Sequence, residues 1–367
     1  MSKKTKKYEQ IKEAIKSSIL EGKIVPHQKI SSENELVKEF RVSRHTVRQA
    51  IGELVNEGWL YRQQGKGTFC AERHQNHRPG NNKTIAIITT YISDYIFPSI
   101  IRGAESYLSS KGYSVLLAST NNQIEQETRC LQKVLAQPIE GLIVEPTKSA
   151  ISNPNLNYYL NLELNRIPYV MINAYYPELS PLSITVDDEG GGYVATEHLI
   201  QLGHRRIIGV FKRDDLQGVK RMKGFVRAHR AFQLPIQPGM IVSFDTKEKY
   251  DGTLKKAVRH LLSSKRERPT AIFCYNDEIA LQLFEVLREM RLKVPEDISI
   301  VGFDDSQLAE ATEIKLTTVK HPKMFMGEDA AKLILEMIHS KKQITDITPI
   351  VYPAELVIRK STASVKD

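Results

Sequence analysis

Over the first seventy residues the apolar positions recur every three or four residues, while beyond residue 83 they gather into short continuous runs. The two textures predict different architectures. Ile11, Ala14, Ile15, Ile19 and Leu20 mark a helix over residues 8–21, stopped at Gly22 and followed by Pro26. Leu36, Val37 and Phe40 mark a second, short helix, with Val42 packing the turn after it. Val47, Ala50, Ile51, Leu54 and Val55 repeat at helical spacing, with Ser43 as N-cap and Gly58 as terminator, which predicts a third. Leu60-Tyr61 and Phe69-Cys70 then flank the glycine-rich turn Gln64-Gly65-Lys66, the pattern of a small hairpin.

Apolar runs at 84–89, 115–118, 141–145, 169–172, 183–186, 207–211, 241–243, 271–275 and 298–303 read as strands. Helical patterns at 100–110, 125–136, 158–164, 193–202, 220–232, 253–263 and 278–290 are interspersed with them. Unbroken apolar strands joined through helices predict a parallel, doubly wound α/β sheet. About ten strands strain the capacity of one twisted sheet, so two similar lobes with the chain crossing between them are expected. Between the two textures, residues 72–82 are polar and punctuated by Pro79 and Gly80, the composition of a linker. The expected division is a head over 1–71, a linker over 72–82 and a two-lobed body over 83–367.

Charge sharpens that division. Residues 1–78 hold 16 Lys and Arg against 9 Asp and Glu, which is +7 of the chain's formal +9. A basic head on a near-neutral body is the electrostatic footprint of nucleic-acid binding confined to one domain. Opposite its apolar stripe, the third helix carries Arg44, His45, Thr46, Arg48 and Gln49 in its first turns, where donors reach base edges and phosphates in a major groove. Ser43 adds a phosphate contact from the helix N-terminus, and Gln64, Gly65 and Lys66 extend to the neighbouring groove from the hairpin tip. Helix, turn, reading helix and basic wing within about forty residues make a winged helix-turn-helix.

The strand ends of the body collect polar side chains: Asp94, Glu145, Asn173, Asp187-Asp188, Lys212-Arg213, Asn276-Asp277 and Asp304-Asp305, with Arg221 nearby. Ligands of doubly wound sheets bind at those ends. Carboxylates, carboxamides and an arginine beside Tyr91, Tyr95 and Phe97 suit a polyhydroxylated ligand, whose hydroxyls donate and accept while its C–H face lies on a ring. Any one of these Asp or Asn residues is equally suited to cap the helix that follows, and Asp277 is expected to do so. The pairs Asp187-Asp188 and Asp304-Asp305 also admit glycoside hydrolysis. No nucleophile elbow, phosphate-binding loop or metal-spaced His and Glu set accompanies them, and Gly190-Gly191-Gly192 lacks dinucleotide-binding spacing and reads as a strand-to-helix turn.

No catalytic residue, metal or cofactor is therefore expected. Cys70, Cys130 and Cys274 are widely spaced and odd in number, which implies neither a disulfide framework nor a zinc site and fits a reducing cytoplasm. His74 and His77 read as solvated linker residues. No apolar run approaches the ~20 residues of a membrane span. The basic opening MSKKTKKYEQ leads into an amphipathic helix instead of a signal-peptide core, so a cytoplasmic protein with no membrane partner is expected.

The segment YEQIKEAIKSSILEGKIVPHQKISSENELVKEFRVSRHTVRQAIGELVNEGWLYRQQGKGTF resembles the DNA-binding domain of GntR-type bacterial regulators. That family usually has a proline where Ser31 stands and frequently an arginine where Asn34 stands. The resemblance implies a phosphate contact from Lys7, at the start of the first helix. Residues 83–360, with TIAIIT, DYIFPSIIRGAESYL, EHLIQLGH, VPEDISIVGFDD and LTTVKHP, are similar to the effector-binding body of LacI-type repressors, kin to periplasmic sugar-binding proteins. By position, that likeness implies Phe97 lining a sugar pocket, Glu145 accepting from hydroxyls, and Arg221 anchoring hydroxyls from the second lobe beside Asn276 and Asp304. Asp94 stands where the family often has Asn, and Asn173 where several members have Asp. Together the two resemblances imply a sugar-responsive repressor that binds palindromic double-stranded operator DNA as a homodimer. L-arabinose is the effector implied first, with another pentose, a sugar phosphate or a purine as alternatives.

Overall fold

The computed structural model describes residues 6–72, 83–264, 267–339 and 348–365. The head consists of α1 (Lys7–Leu20), α2 (Glu33–Phe40), α3 (Arg44–Asn56) and a hairpin of β1 (Leu60–Gln63) and β2 (Gly67–Cys70). Ile11, Ile15, Leu36, Val47, Ala50, Ile51 and Leu54, the inward stripes of the three helices, are buried at its centre together with Trp59 from the turn after α3. Ser32 and Glu35 exchange hydrogen bonds across the first turn of α2, a reciprocal cap that fixes where this helix begins. Arg41 ends α2 in the left-handed region (φ 50°), turning the chain sharply into Ser43 and α3. The segment before α2 pairs with the wing, His27 N donating to Cys70 O and Ile30 N to Thr68 O.

The body follows in chain order as β3 (Thr84–Thr89), α4 (Phe97–Ser110), β4 (Ser114–Ser119), α5 (Ile124–Leu135), β5 (Gly141–Val144), α6 (Leu156–Leu164), β6 (Tyr169–Ile172) and β7 (Ser183–Val186). Next come α7 (Asp188–Gln201), β8 (Ile207–Lys212), α8 (Leu216–Ala231), β9 (Ile241–Phe244), α9 (Thr253–Leu262), β10 (Ala271–Cys274) and α10 (Asp277–Glu289). The last elements are β11 (Ser299–Asp304), α11 (Gln307–Ala311), β12 (Thr317–Lys320), α12 (Lys323–His339), β13 (Ile350–Tyr352) and β14 (Leu356–Val357). One six-stranded sheet has the order β13-β7-β6-β5-β3-β4 and is parallel throughout. The other has the order β14-β12-β11-β10-β8-β9 and is parallel except for β14. The chain passes between lobes after β7, after β12 and after β13, so α12 packs in the first lobe against α4.

Several details depart from the sequence reading, and α11 and α12 lie beyond the helical patterns read from it. The three glycines fall inside α7, not in a turn before it. A Cβ at Gly192 would stand 2.2 Å from Arg221 O, and one at Gly224 would stand 2.1 Å from Glu189 O. These residues are glycine because α7 and α8 cross too closely for side chains. Asn276, not Asp277, caps α10, its Oδ1 accepting from Ile279 N at 3.0 Å. The strands β12, β13 and β14 were not foreseen, because segments of two to four residues with mixed polarity carry little periodic signal. Of the expected linker 72–82, residues 73–82, with His74 and His77, lie outside the described residues.

Candidate functional site

Ser43 caps α3, its Oγ accepting from Thr46 N at 3.2 Å and lying 2.8 Å from Thr46 Oγ1. With the apolar stripe of α3 turned inward, Arg44, His45 and Arg48 are exposed and Thr46 is half-buried. Basic side chains thus surround a positive helix end, a site suited to anions. Arg48 Nε donates to Glu33 Oε2 at 2.8 Å, an exposed pair worth little in solution and easily exchanged for a phosphate or base. At the wing tip Gln64, Gly65 and Lys66 are exposed; Gly65 takes φ 75°, and Lys66 N donates to Gln63 O. Lys7 stands exposed at the start of α1. Lys29 was missed. Its side chain lies against Gly67 of the wing, because residues 27–30 pair with β2, a long-range contact without local sequence signature.

A second site lies between the lobes, at the carboxyl ends of both sheets. The cleft has a volume of about 500 Å3, within the range of small-molecule sites. Asp94, Phe97, Glu145, Asn276 and Asp304 all line it, and Tyr91 packs beside Phe97 with ring centroids 5.7 Å apart. Further lining groups not singled out from the sequence are Asn122, Asp215, Thr246, Lys249, Tyr275 and Glu278, which reach the cleft from loops and helix starts. Its lysines are already paired: Lys249 Nζ stands 2.6 Å from Glu278, and Lys212 Nζ 3.5 Å from Asp214 and Asp215. Five carboxylates (Asp94, Glu145, Asp215, Glu278 and Asp304) face two lysines, a balance that disfavours an anionic ligand.

Arg221 and Asn173 stand behind the wall instead of lining it, unlike the positions expected for them. Arg221, fully buried, donates Nε to Asp188 Oδ1 at 2.8 Å, Nη1 to Tyr275 O at 2.6 Å and Nη2 to Asp304 Oδ1 at 3.3 Å. Its guanidinium lies 3.5 Å from the Phe303 ring centroid. This arginine is held for its neighbours, positioning Asp304 at the cleft. Asn173 donates to Glu145 Oε1 at 2.8 Å and meets His321 Nε2 through Oδ1 at 3.0 Å, so it orients the carboxylate from behind. Asp304 and Asp305 both have positive φ (96° and 45°), a conformation costly for side-chain-bearing residues. Lys323 secures it by donating to both their carbonyls at 2.7 Å.

The lobes touch across the cleft. Tyr95 OH, from the first lobe, donates to Asp304 Oδ2 at 2.8 Å and accepts from Asp277 N. Asn122 Nδ2 donates to Thr246 Oγ1 at 2.6 Å, and Ser149 Oγ to Asp215 Oδ1 at 3.2 Å. These bonds describe a closed cleft.

Burial pushes Glu145 up to about 7, even though Thr90 and Asn173 hydrogen bonds pull the other way. The ionised form is the better acceptor for hydroxyl donors, so ligand affinity should fall as pH drops through about 7. Between pH 8 and pH 6 the loss approaches about tenfold, the change in ionised fraction of a group with that pKa. Calorimetric titration across this range checks it, with Glu145→Gln expected to bind weakly and without the pH dependence. A wild-type affinity flat from pH 8 to 6 would count against Glu145 as a ligand acceptor.

Among the described residues no cluster of three or more His, Cys, Asp or Glu is placed to hold a metal, and no helix is long and apolar enough to cross a membrane. Residues 7–70 match the bacterial regulatory proteins of the gntR family, and residues 196–362 match the periplasmic binding protein-like domain. The chain is 56% identical over 366 residues to the arabinose metabolism transcriptional repressor of Halalkalibacterium halodurans, covering 98% of this chain and 97% of that one. It is 52% identical over 359 residues to the repressor of the same name from Geobacillus stearothermophilus, covering 98% of each. Among solved structures, a LacI family transcriptional regulator from Enterococcus faecium with bound ribose superposes with a TM-score of 0.64 at 28% identity, covering 77% of this chain and 100% of that one.

Proposed function

The chain belongs to the family of the arabinose metabolism transcriptional repressors, and from that membership we propose that it binds operator DNA as a homodimer and lets go when its cleft takes up L-arabinose. It is a sugar-responsive regulator and not an enzyme. The head, residues 1–71, reads the operator; residues 83–367 sense the sugar and dimerise; residues 72–82 join them; the protein works in the cytoplasm. Arg44, His45, Thr46 and Arg48 read the major groove of one half-site, Ser43 and Lys7 hold phosphates, and Gln64, Gly65 and Lys66, joined by Lys29, reach the adjacent groove. Two heads on a dimer require a palindromic operator.

The observation that carries this reading is the cleft itself: carboxylates and amides converging beside Tyr91 and Phe97, with its two lysines already neutralised. Such a lining favours a neutral polyol over a sugar phosphate. Asp94, Glu145, Asn276 and Asp304 bond hydroxyls and Phe97 covers a C–H face, while Asn173 and Arg221 hold Glu145 and Asp304 in position. For the sugar to act as inducer it must bind the DNA-incompetent arrangement better. A hundredfold preference corresponds to about 2.7 kcal/mol of coupling. An operator gel shift across pentoses, hexoses, sugar phosphates and purines tests this: L-arabinose at saturation should weaken operator binding about a hundredfold, with the others inert. Release by a sugar phosphate or a purine and not by L-arabinose would sink the assignment.

A further inference from the structure

The head rests on the body, and the contact is built. Backbone N–H groups of residues 21–24 reach the carbonyls of Ser17, Ser18 and Ile19 at the end of α1, and two asparagines of α6 add side-chain donors there. Asn161 Nδ2 donates to Ile19 O and Leu20 O, both at 2.8 Å, and Asn157 Nδ2 donates to Glu21 O at 3.1 Å. Asn161 is itself buried, its amide oxygen accepting from Asn165 Nδ2 at 2.8 Å. From α5, Gln132 Nε2 donates to Ser17 Oγ of α1 at 3.2 Å and to Tyr158 OH of α6 at 2.9 Å. One buried apolar cluster continues from Ile15, Ile19 and Leu20 of α1 to Leu131, Leu135 and Leu162 of the first lobe. Beside this contact a crevice of about 870 Å3 separates α1 from β4 and α5. The reading face of α3 remains exposed while the head is seated. Seating therefore sets the head's orientation without covering its DNA contacts.

The two helices that form the seat share a buried carboxylate. Glu127 of α5 accepts from Tyr159 OH of α6 (2.8 Å), Tyr176 OH (2.7 Å), Asn153 Nδ2 (2.6 Å) and Asn155 Nδ2 (2.9 Å). Tyr176 OH also accepts from Thr147 N at 2.8 Å. The next residue, Lys148, donates its N–H to Asn122 Oδ1, and Asn122 makes the interlobe bond to Thr246. Fixed hydrogen bonds thus join the closing edge of the cleft to the seat.

We propose that α5 and α6 form a seat for the C-terminal end of α1, occupied when the lobes close, and that seating holds each head out of the orientation a palindromic operator requires. The inference rests on the repressor reading above. If the sugar induces, it must favour the arrangement that does not hold DNA, and the closed cleft occurs here together with the seated head.

The test uses the full-length chain. Spin labels at Glu39→Cys in the head and Glu178→Cys in the first lobe, in a Cys130→Ser background and diluted with unlabelled protein, report the head–body distance. With L-arabinose the wild type should give one narrow distance. Asn157→Ala combined with Asn161→Asp, and separately Gln132→Ala, should broaden it. Both variants should bind operator without sugar within about twofold of wild type and bind L-arabinose normally, yet lose at least tenfold of the sugar-driven release. A distance as narrow as wild type, or full release by sugar in both variants, would overturn the seat. If L-arabinose fails to release even the wild type, the choice of sugar fails, and the label distances measured with whichever sugar of the panel does release it, narrow in the wild type and broad in the variants, still decide the seat.

Discussion

Arg221→Ala should destabilise the body by about 3–5 kcal/mol, because it strands Asp188 and Asp304 as buried charges without their partner. Both carboxylates are almost fully buried, and Arg221 reaches each of them. Burial already pushes Asp188 up to about 6, with Arg221 opposing the rise. Removing the guanidinium leaves the folded-state pKa still higher, above the unfolded value. An acid raised in this way binds more protons when folded, so the variant gains stability as pH falls and its deficit is greatest at pH 8. Thermal unfolding should show a midpoint lowered by roughly 10 °C at pH 8, with a smaller difference at pH 5. Sugar binding should be lost as well, because Asp304 no longer has a fixed position. Arg221→Lys should not rescue, since an ammonium cannot address Asp188, Tyr275 O and Asp304 through one planar fork. A melting curve unchanged in Arg221→Ala would show that the buried pair is dispensable.

Arg44→Ala and Arg48→Ala should each weaken operator binding by about 1–3 kcal/mol, roughly five- to 150-fold, while sugar affinity stays unchanged. A base-reading arginine reveals itself by relaxed discrimination between operator variants. Lys66→Ala, at the exposed wing tip, should weaken all sequences alike and lower the salt dependence by about one ion. Glu33→Gln adds a check of opposite sign: it frees Arg48 from its 2.8 Å partner and should tighten operator binding slightly. Equal operator affinity for Arg48→Ala and wild type across a salt series would remove Arg48 from the interface.

The head was the more legible part. Its core positions repeat at helical spacing, its caps are local, and Ser43 does bond Thr46 N as its sequence position suggests. The wing tip follows from two short strands and a glycine turn. Lys29 was invisible because it reaches the wing only through pairing with β2. In the body the strands were legible as apolar runs, and the strand-end rule brought Asp94, Phe97, Glu145, Asn276 and Asp304 together at the cleft. The same rule could not separate wall from support. Arg221 and Asn173 occupy equally suggestive positions, yet hydrogen bonds to Asp188, Tyr275, Glu145 and His321 place them behind the surface.

Local chemistry therefore determined most of the segments that fold as helix or strand up to β11, and that the positive charge sits at one end, because periodicity, capping and charge are properties of neighbours in the chain. Tertiary structure alone decided that Gly192 and Gly224 serve a helix crossing, since those contacts join residues about thirty positions apart. It alone decided that Tyr95 ties one lobe to the other and that Asn161 receives the end of α1, 142 residues away from Ile19. A hydrogen bond across such a separation leaves no trace in spacing or composition; it exists only once the lobes have folded and met.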